Sequence, residues 1–160
     1  QMDKLMELDD ILSRQAVLFL DSVTDKADLF KRLADRASAV CGHKPGQLRK
    51  ALDEREQLGS TGLGNGIAVP HGKVPGLKGV VAVFARLGTP VEFDAIDDQP
   101  VDLVMMLLAP VGAGADHLKA LARVARILRT DAVVEALRGT TDPERLYEIL
   151  NARVAAQNAA

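Results

Sequence analysis

Two nearly continuous apolar runs, residues 79–85 and 101–109, are the features of this 160-residue chain that most restrict its fold. Successive side chains of a strand point to opposite faces of a sheet, so an uninterrupted apolar run predicts a strand that is covered on both faces. Segments with apolar residues at helical spacing lie before and after these runs. Strands alternating with amphipathic helices are typical of layered folds, and the sequence therefore predicts the α/β class.

The first half of the chain is expected to contain one strand and two longer helices. Residues 16–20 form an apolar run that predicts the strand. Helical spacing of apolar residues follows it, with Thr24 as the expected N-cap and Gly42 just beyond the end of the helix. Proline is favoured in the first turn of a helix, so a second helix is expected to begin at Pro45, and Gly59 is expected to close it.

Three further helices are expected after the second apolar run. The first of these helices has a stripe of apolar residues, and the next covers about residues 132–137. The last begins at residues 141–144, where a capping box contains a proline. The expected buried face of the first helix in this group comprises Leu118, Leu121, Ala122, Ala125 and Leu128.

Composition and charge exclude several classes of function. Apolar residues make up 48% and charged residues 26% of the chain, as in ordinary globular proteins. No apolar run approaches the roughly 18 residues that a membrane-spanning helix needs. The formal net charge is −2, and aromatic residues are 3% with no Trp. A chain with neither excess positive charge nor aromatic stacking groups is not expected to bind nucleic acid.

The termini and the single cysteine predict a cytoplasmic protein of one domain. The N-terminal stretch reads QMDKLMELDD, which lacks the features of a secretory signal peptide. Cys41 has no partner for an intrachain disulfide, which fits a reducing compartment. No internal repeat or linker divides the chain, so residues 1–160 are expected to form a single domain.

A glycine-rich loop, residues 59–66, is the most unusual local feature. Its glycines permit positive φ angles and can expose backbone N–H groups to an anion. No Gly-Lys-Ser/Thr sequence follows, which excludes a Walker loop, and an apolar strand follows instead of a helix, which excludes a dinucleotide fingerprint. By itself such a loop is also compatible with a plain turn.

The residues on either side of the loop favour phosphate chemistry. Arg55 precedes it, and His71 follows it directly after Pro70. A neutral imidazole is a competent nucleophile at neutral pH, and a guanidinium matches the oxygens of a phosphoryl group. The set therefore suits a phosphoryl group carried on a histidine. The expected phosphate-binding residues of the loop are Ser60, Thr61, Gly64, Asn65 and Gly66.

The sequence around these residues resembles a known family. Residues 55–73 read Arg55-Glu-Gln-Leu-Gly-Ser-Thr-Gly-Leu-Gly-Asn-Gly-Ile-Ala-Val-Pro-His-Gly-Lys73. This string resembles the active-site motif of enzyme IIA domains of the fructose/mannitol class, from the bacterial phosphoenolpyruvate-dependent phosphotransferase system. Residues 93–102 and 116–118 are similar to the nitrogen-regulatory type of this family. The resemblance covers roughly residues 8–150.

The resemblance implies a fold and a set of site residues. The fold would be a three-layer α/β/α sandwich with a mixed central sheet. His71 would be the phosphorylated residue, Arg55 the phosphate clamp, and His117 the second active-site histidine. Neither a cofactor nor a metal is implied. Lys119 occupies a position where some nitrogen-type relatives have a further histidine, and it is left open whether Lys119 contacts phosphate, contacts a partner or is simply solvated.

The resemblance also implies a function and partners. A phosphocarrier of this type accepts a phosphoryl group from an HPr-like carrier protein and regulates target proteins according to its own phosphorylation state. The targets are not named by the sequence. The alternative is a sugar-specific enzyme IIA that passes phosphate to a cysteine of an enzyme IIB during fructose or mannitol uptake. Both would be phosphotransferases.

Several residues also have plainer interpretations. Cys41 and His43 are too few for a metal site without a second pair of ligands. Asp94, Asp97 and Asp98 are expected to be solvated rather than to bind magnesium. His117 is alternatively a surface histidine.

Overall fold

In the computed structural model, which describes the backbone of residues 7–159 and the side chains of residues 7–151, five helices and six strands follow one another. The remaining N-terminal residues of the QMDKLMELDD stretch lie outside this part. Two short 3₁₀ turns, Leu8–Asp10 and Arg14–Ala16, precede the first strand. The strands are β1 (Val17–Leu20), β2 (Gly62–Gly64), β3 (Ile67–Ala68), β4 (His71–Val74), β5 (Val81–Val91) and β6 (Val101–Pro110). The helices are α1 (Lys26–Cys41), α2 (Pro45–Glu56), α3 (Gly114–Leu128), α4 (Asp131–Arg138) and α5 (Pro143–Ala159).

The strands form one mixed sheet in the order β1-β5-β6-β3-β2, with β4 also paired to β6. β6 runs antiparallel to β5 and parallel to β3 and β4. Its first nine residues are buried except Asp102, which confirms that this strand is covered on both faces. The predicted α/β fold with a mixed sheet is therefore confirmed.

The helices form a layer on each face of the sheet. α1 and α2 pack together on one face, where the backbone of Ala51 in α2 meets Gly72 of β4. α3, α4 and α5 lie on the other face. Along β4, successive residues alternate between the two faces, so His71 points towards α3 when Gly72 faces α2. Within the described residues, no helix has the length and hydropathy that crossing a membrane would require.

Two predicted helix boundaries and one predicted loop were wrong in detail. The N-cap of α1 is Asp25, not Thr24, because the Asp25 carboxylate accepts from the Asp28 N–H at 2.8 Å while the Thr24 N–H donates to the Asp28 carboxylate. α2 ends at Glu56, three residues before Gly59. The glycine-rich segment is not entirely loop, because β2 and β3 pair there as a short antiparallel hairpin.

The predicted buried face of α3 was also wrong. Leu118 is 69% exposed, Ala122 is exposed, and only Leu128 of the expected set is fully buried. Apolar residues occur around much of this helix, so helical spacing alone did not select one face. The face that packs on the sheet comprises His117, Ala120, Val124, Ile127 and Leu128.

Candidate active site

His71 begins β4, immediately after the break that separates β3 from β4. Pro70 lies in this break, and its carbonyl still accepts from the Leu107 N–H of β6 at 2.9 Å. His71 is then paired with Leu107 in the parallel ladder. Pairing with β6 therefore fixes the backbone of His71, and the half-buried imidazole projects from a fixed position.

One nitrogen of the His71 ring is occupied and the other is available. Nδ1 lies 2.8 Å from the carbonyl oxygen of Val69. A carbonyl only accepts, so Nδ1 must carry the hydrogen and Nε2 keeps its lone pair. Burial lowers the pKa of His71 below its ordinary value of 6.5, and the nearby Arg55 charge lowers it further, against opposing effects of the Val69 carbonyl and Glu56. The ring is therefore neutral at pH 7.

His117 lies next to His71, in the first turns of α3. The two ring centroids are 5.5 Å apart, with an edge-on angle of 71° between the planes. His117 is only 6% exposed, so it is not a surface histidine. Its Nε2 is buried without a hydrogen-bond partner in the described part of the chain. Burial, together with the charges of His71 and Lys73, lowers the pKa of His117.

Arg55 reaches this site from the last turn of α2. One of its terminal nitrogens donates to the Gly59 carbonyl at 2.9 Å. Arg55 and His71 together line two adjoining cavities of about 220 and 340 Å³. Ser60 and Thr61 line the smaller cavity, and His117 lines the larger one. Residues distant in the chain therefore meet around one imidazole.

The loop residues divide between two regions. Ser60 and Thr61 face the His71 cavity, but their hydroxyl groups donate to the Phe93 carbonyl and the Glu56 carboxylate. Gly64 and Asn65 line a different cavity, beside α4. The structure therefore brings only the first part of the loop next to His71.

Gly66 also lies on the far side of the hairpin. Its carbonyl accepts from the N–H groups of Asp102 and Leu103. Positive φ angles at Gly64, Asn65 and Gly66, of 92°, 58° and 81°, form the tight turn between β2 and β3. The expectation of positive φ angles is confirmed, and at these three residues the positive φ angles allow the turn to form.

Sequence reasoning missed two charged residues near the site. Lys73 lines the larger cavity with His71 and His117. The two-residue repeat of a strand could have indicated Lys73, since residues two apart on β4 share a face and His71 is one of them. Glu56 accepts two hydrogen bonds from Thr61 and nothing in the motif marked this contact. Lys119 is exposed and lines neither of the two cavities.

The aspartates between β5 and β6 stabilise or form turns of the backbone. Asp97 accepts from the N–H groups of Asn65 and Gln99, and these hydrogen bonds lower the pKa of its carboxyl. Asp94 and Asp98 have φ angles of 54° and 57°, a conformation that aspartate tolerates in turns.

Comparisons with known proteins agree on one family. Residues 10–153 match the family described as the phosphoenolpyruvate-dependent sugar phosphotransferase system, EIIA 2. A nitrogen regulatory protein from Bradyrhizobium diazoefficiens is 43% identical over 145 residues, which cover 91% of this chain and 95% of the relative. A nitrogen regulatory protein from Escherichia coli K12 is 36% identical over 149 residues, covering 92% and 91%.

A solved structure extends this agreement to the fold. The crystal structure of the nitrogen regulatory protein IIA-Ntr from Neisseria meningitidis superposes with a TM-score of 0.81 at 34% identity, covering 88% of this chain and 97% of that one. The chain belongs to the EIIA 2 family of the phosphoenolpyruvate-dependent phosphotransferase system, and within it to the nitrogen-regulatory type.

Proposed function

We propose that Nε2 of His71 accepts a phosphoryl group from the phosphohistidine of an HPr-like carrier protein. Membership of the family makes the chain a phosphoryl-transfer component. The observation that carries the assignment to His71 is its ring geometry, because Nδ1 is held by the Val69 carbonyl while Nε2 is left free. Arg55 and His117 lie around the same ring.

The transfer balances without a proton leaving His71. The Nε2 lone pair forms the new N–P bond as the N–P bond in the donor breaks, and its electron pair returns to the donor's ring nitrogen. The Nδ1 hydrogen stays in place and continues to donate to the Val69 carbonyl, which stabilises the ring as it takes on positive charge.

Charged and polar groups around Nε2 would stabilise the transferring group. The Arg55 guanidinium donates one hydrogen bond to the Gly59 carbonyl and has further N–H groups that can donate to phosphoryl oxygens. The unpartnered Nε2 of His117 would gain a hydrogen-bond partner when its hydrogen points at such an oxygen. The Lys73 ammonium adds positive charge to the same cavity.

The proposed output is regulatory, and the proposed compartment is the cytoplasm, which agrees with the free Cys41. The relatives from Bradyrhizobium diazoefficiens and Escherichia coli are nitrogen regulatory proteins, which favours this output over sugar uptake. Exposed leucines next to the site offer apolar contact to partner proteins: Leu58, which is 82% exposed, lines a His71 cavity, and Leu118 follows His117. Target proteins that dock there would sense the phosphoryl group.

Intact mass spectrometry tests the phosphorylation. After incubation with phosphoenolpyruvate, enzyme I and an HPr-like carrier, the protein is expected to gain one acid-labile phosphoryl group. The gain should disappear in His71→Ala and persist in His43→Ala, since His43 lies outside the His71 cavities. A phosphoryl gain that survives in His71→Ala would exclude the assignment, and so would acid-stable phosphate on a serine.

A further inference from the structure

Glu56, the last residue of α2, is a nearly buried carboxylate beside the site. Its side chain is 8% exposed. It accepts from the Thr61 N–H at 2.9 Å and from the Thr61 hydroxyl at 2.7 Å, and the Lys26 ammonium lies 2.9 Å from it. A buried carboxylate is tolerated only when its charge is paired and its oxygens are hydrogen-bonded. Glu56 therefore joins α1, α2 and the glycine-rich loop.

Lys26, at the start of α1, connects the Glu56 carboxylate to the backbone at Phe93. Its ammonium donates to the Phe93 carbonyl at 3.2 Å and lies 4.2 Å from the centre of the Phe93 ring. The Ser60 hydroxyl donates to the same carbonyl at 3.2 Å. Neighbouring loop residues are thus tied to one cluster. We call this cluster the loop anchor: Lys26, Glu56, Ser60, Thr61 and Phe93.

The loop anchor lies behind one wall of the His71 cavity. Ser60 and Thr61 line that cavity, but their hydroxyl groups donate to the Phe93 carbonyl and to the Glu56 carboxylate. Arg55 holds the same segment through the Gly59 carbonyl. No hydrogen bond joins Glu56 to His71 in the described part of the chain, so Glu56 acts on the site only through the loop and through its charge.

We propose that Glu56, paired with Lys26, is a positioning residue for phosphoryl transfer. It holds Thr61 against the end of α2 and so sets the distance between the cavity wall, Arg55 and the transferring group. This inference rests on the proposed phosphorylation of His71. Displacing a reacting group by about 1 Å can reduce a rate by about 100-fold, so the loss of this contact should affect the transfer step.

Two substitutions of similar shape test the contact. Glu56→Gln removes the negative charge that pairs with Lys26 and leaves one acceptor oxygen in place of two, so the side chain can no longer accept from the Thr61 N–H, the Thr61 hydroxyl and Lys26 together. Thr61→Val removes the hydroxyl donor, whereas Thr61→Ser retains it. Lys31→Met is the matched control, because it removes an exposed Lys31–Asp35 ion pair from α1.

The expected effect is on the rate constant of transfer. In rapid-quench experiments, Glu56→Gln and Thr61→Val should transfer about 10- to 100-fold more slowly than the parent. KM for the phosphorylated carrier should change by less than about 3-fold, because the exposed docking residues are untouched. Thr61→Ser and Lys31→Met should stay near the parental rate. Parental rates in Glu56→Gln and Thr61→Val would overturn the proposal, as would losses that only match the unfolded fraction.

Amide hydrogen exchange supplies a readout that does not depend on phosphate. The Thr61 N–H should exchange at least about 10-fold faster in Glu56→Gln than in the parent, while core amides of β6 stay protected. Unchanged Thr61 exchange would overturn the anchoring role. If the parent itself takes no phosphate on His71, the proposed function fails, and this exchange still decides whether Glu56 holds the loop. If Glu56→Gln does not fold, the comparison of Thr61→Val with Thr61→Ser decides in its place.

Discussion

The proposed phosphorylation of His71 needs its imidazole in the neutral form, so the pKa of His71 would set the pH range of the reaction. Burial lowers the pKa of His71 and that of His117 below 6.5. We therefore expect the phosphorylation rate to be constant between about pH 7 and 8 and to fall to half only below pH 6.5. NMR titration of the His71 ring checks this without the donor protein. A midpoint above pH 6.5 would contradict it.

The same shift has a consequence for stability. The unfolded histidines bind protons near pH 6.5, whereas the folded ones bind them at lower pH. The unfolded state thus carries more protons just below pH 6.5, and the free energy of unfolding should fall as the pH drops through that value. Urea unfolding at pH 7 and pH 5.5 measures this change. His71→Asn should reduce the pH dependence.

Arg55 is expected to stabilise the transferring group through its planar fork of donors. Removing one such charge-assisted contact costs about 2–4 kcal/mol, so Arg55→Ala should transfer about 30- to 1,000-fold more slowly. Arg55→Lys should also be impaired, since an ammonium cannot form the fork. Arg49→Ala is the control, because Arg49 pairs with Asp53 elsewhere on α2. Rapid-quench rates near parental for Arg55→Lys would argue against the fork.

At the scale of elements, the contact between α2 and β4 sets the position of Arg55 relative to His71. A Cβ atom on Gly72 would lie 2.7 Å from the Ala51 carbonyl oxygen, which is backbone and cannot rotate away. Gly72→Ala should therefore push α2 from the sheet, reduce the free energy of unfolding by about 1–3 kcal/mol and slow phosphorylation.

Gly79→Ala is the matched control for this prediction. A Cβ atom on Gly79 would meet no atom of the described residues within 4 Å. The free energy of unfolding from urea titration and the rate of phosphorylation should then both stay near parental. Equal effects of the two substitutions would show that the contact of α2 with β4 does not control the site.

At the scale of the whole molecule, phosphorylation changes the charge of a chain whose formal net charge is only −2. A phosphoryl group adds roughly two negative charges beside the exposed Leu58. A coupling of about 1–3 kcal/mol between phosphorylation and docking would change target affinity about 5- to 150-fold. We therefore expect His71→Ala and the charge mimic His71→Glu to bind different proteins.

Affinity capture from the native cytosol, followed by titration of the captured proteins, measures this difference. Targets bound by one form only support a regulatory output. Capture of the same phosphotransfer partners by both forms, with rapid passage of phosphate to an enzyme IIB cysteine, would instead establish the sugar-uptake alternative. We propose a single domain for this function, since α1, α2, α3 and α5 contact one sheet and α4 packs against α3 and α5.

The local sequence determined much of the fold. The apolar run at 101–109 indicated a strand covered on both faces, and β6 has that environment. Gly42 marked the end of α1 because its φ of 80° suits glycine. The motif around His71 was sufficient to indicate the family, because it lies within one continuous segment. Each of these features is decided by residues that are close together in the chain, so the sequence alone is sufficient to predict it.

Tertiary structure alone decided which residues face the site. The spacing of α3 allowed more than one buried face, and only packing on the sheet turned His117 inward and left Leu118 in solvent. The sequence predicted Thr61 as a phosphate-binding residue, whereas in the fold its hydroxyl donates to Glu56. Such contacts join residues from separate elements, and their energies depend on distances and burial that exist only after the layers have packed.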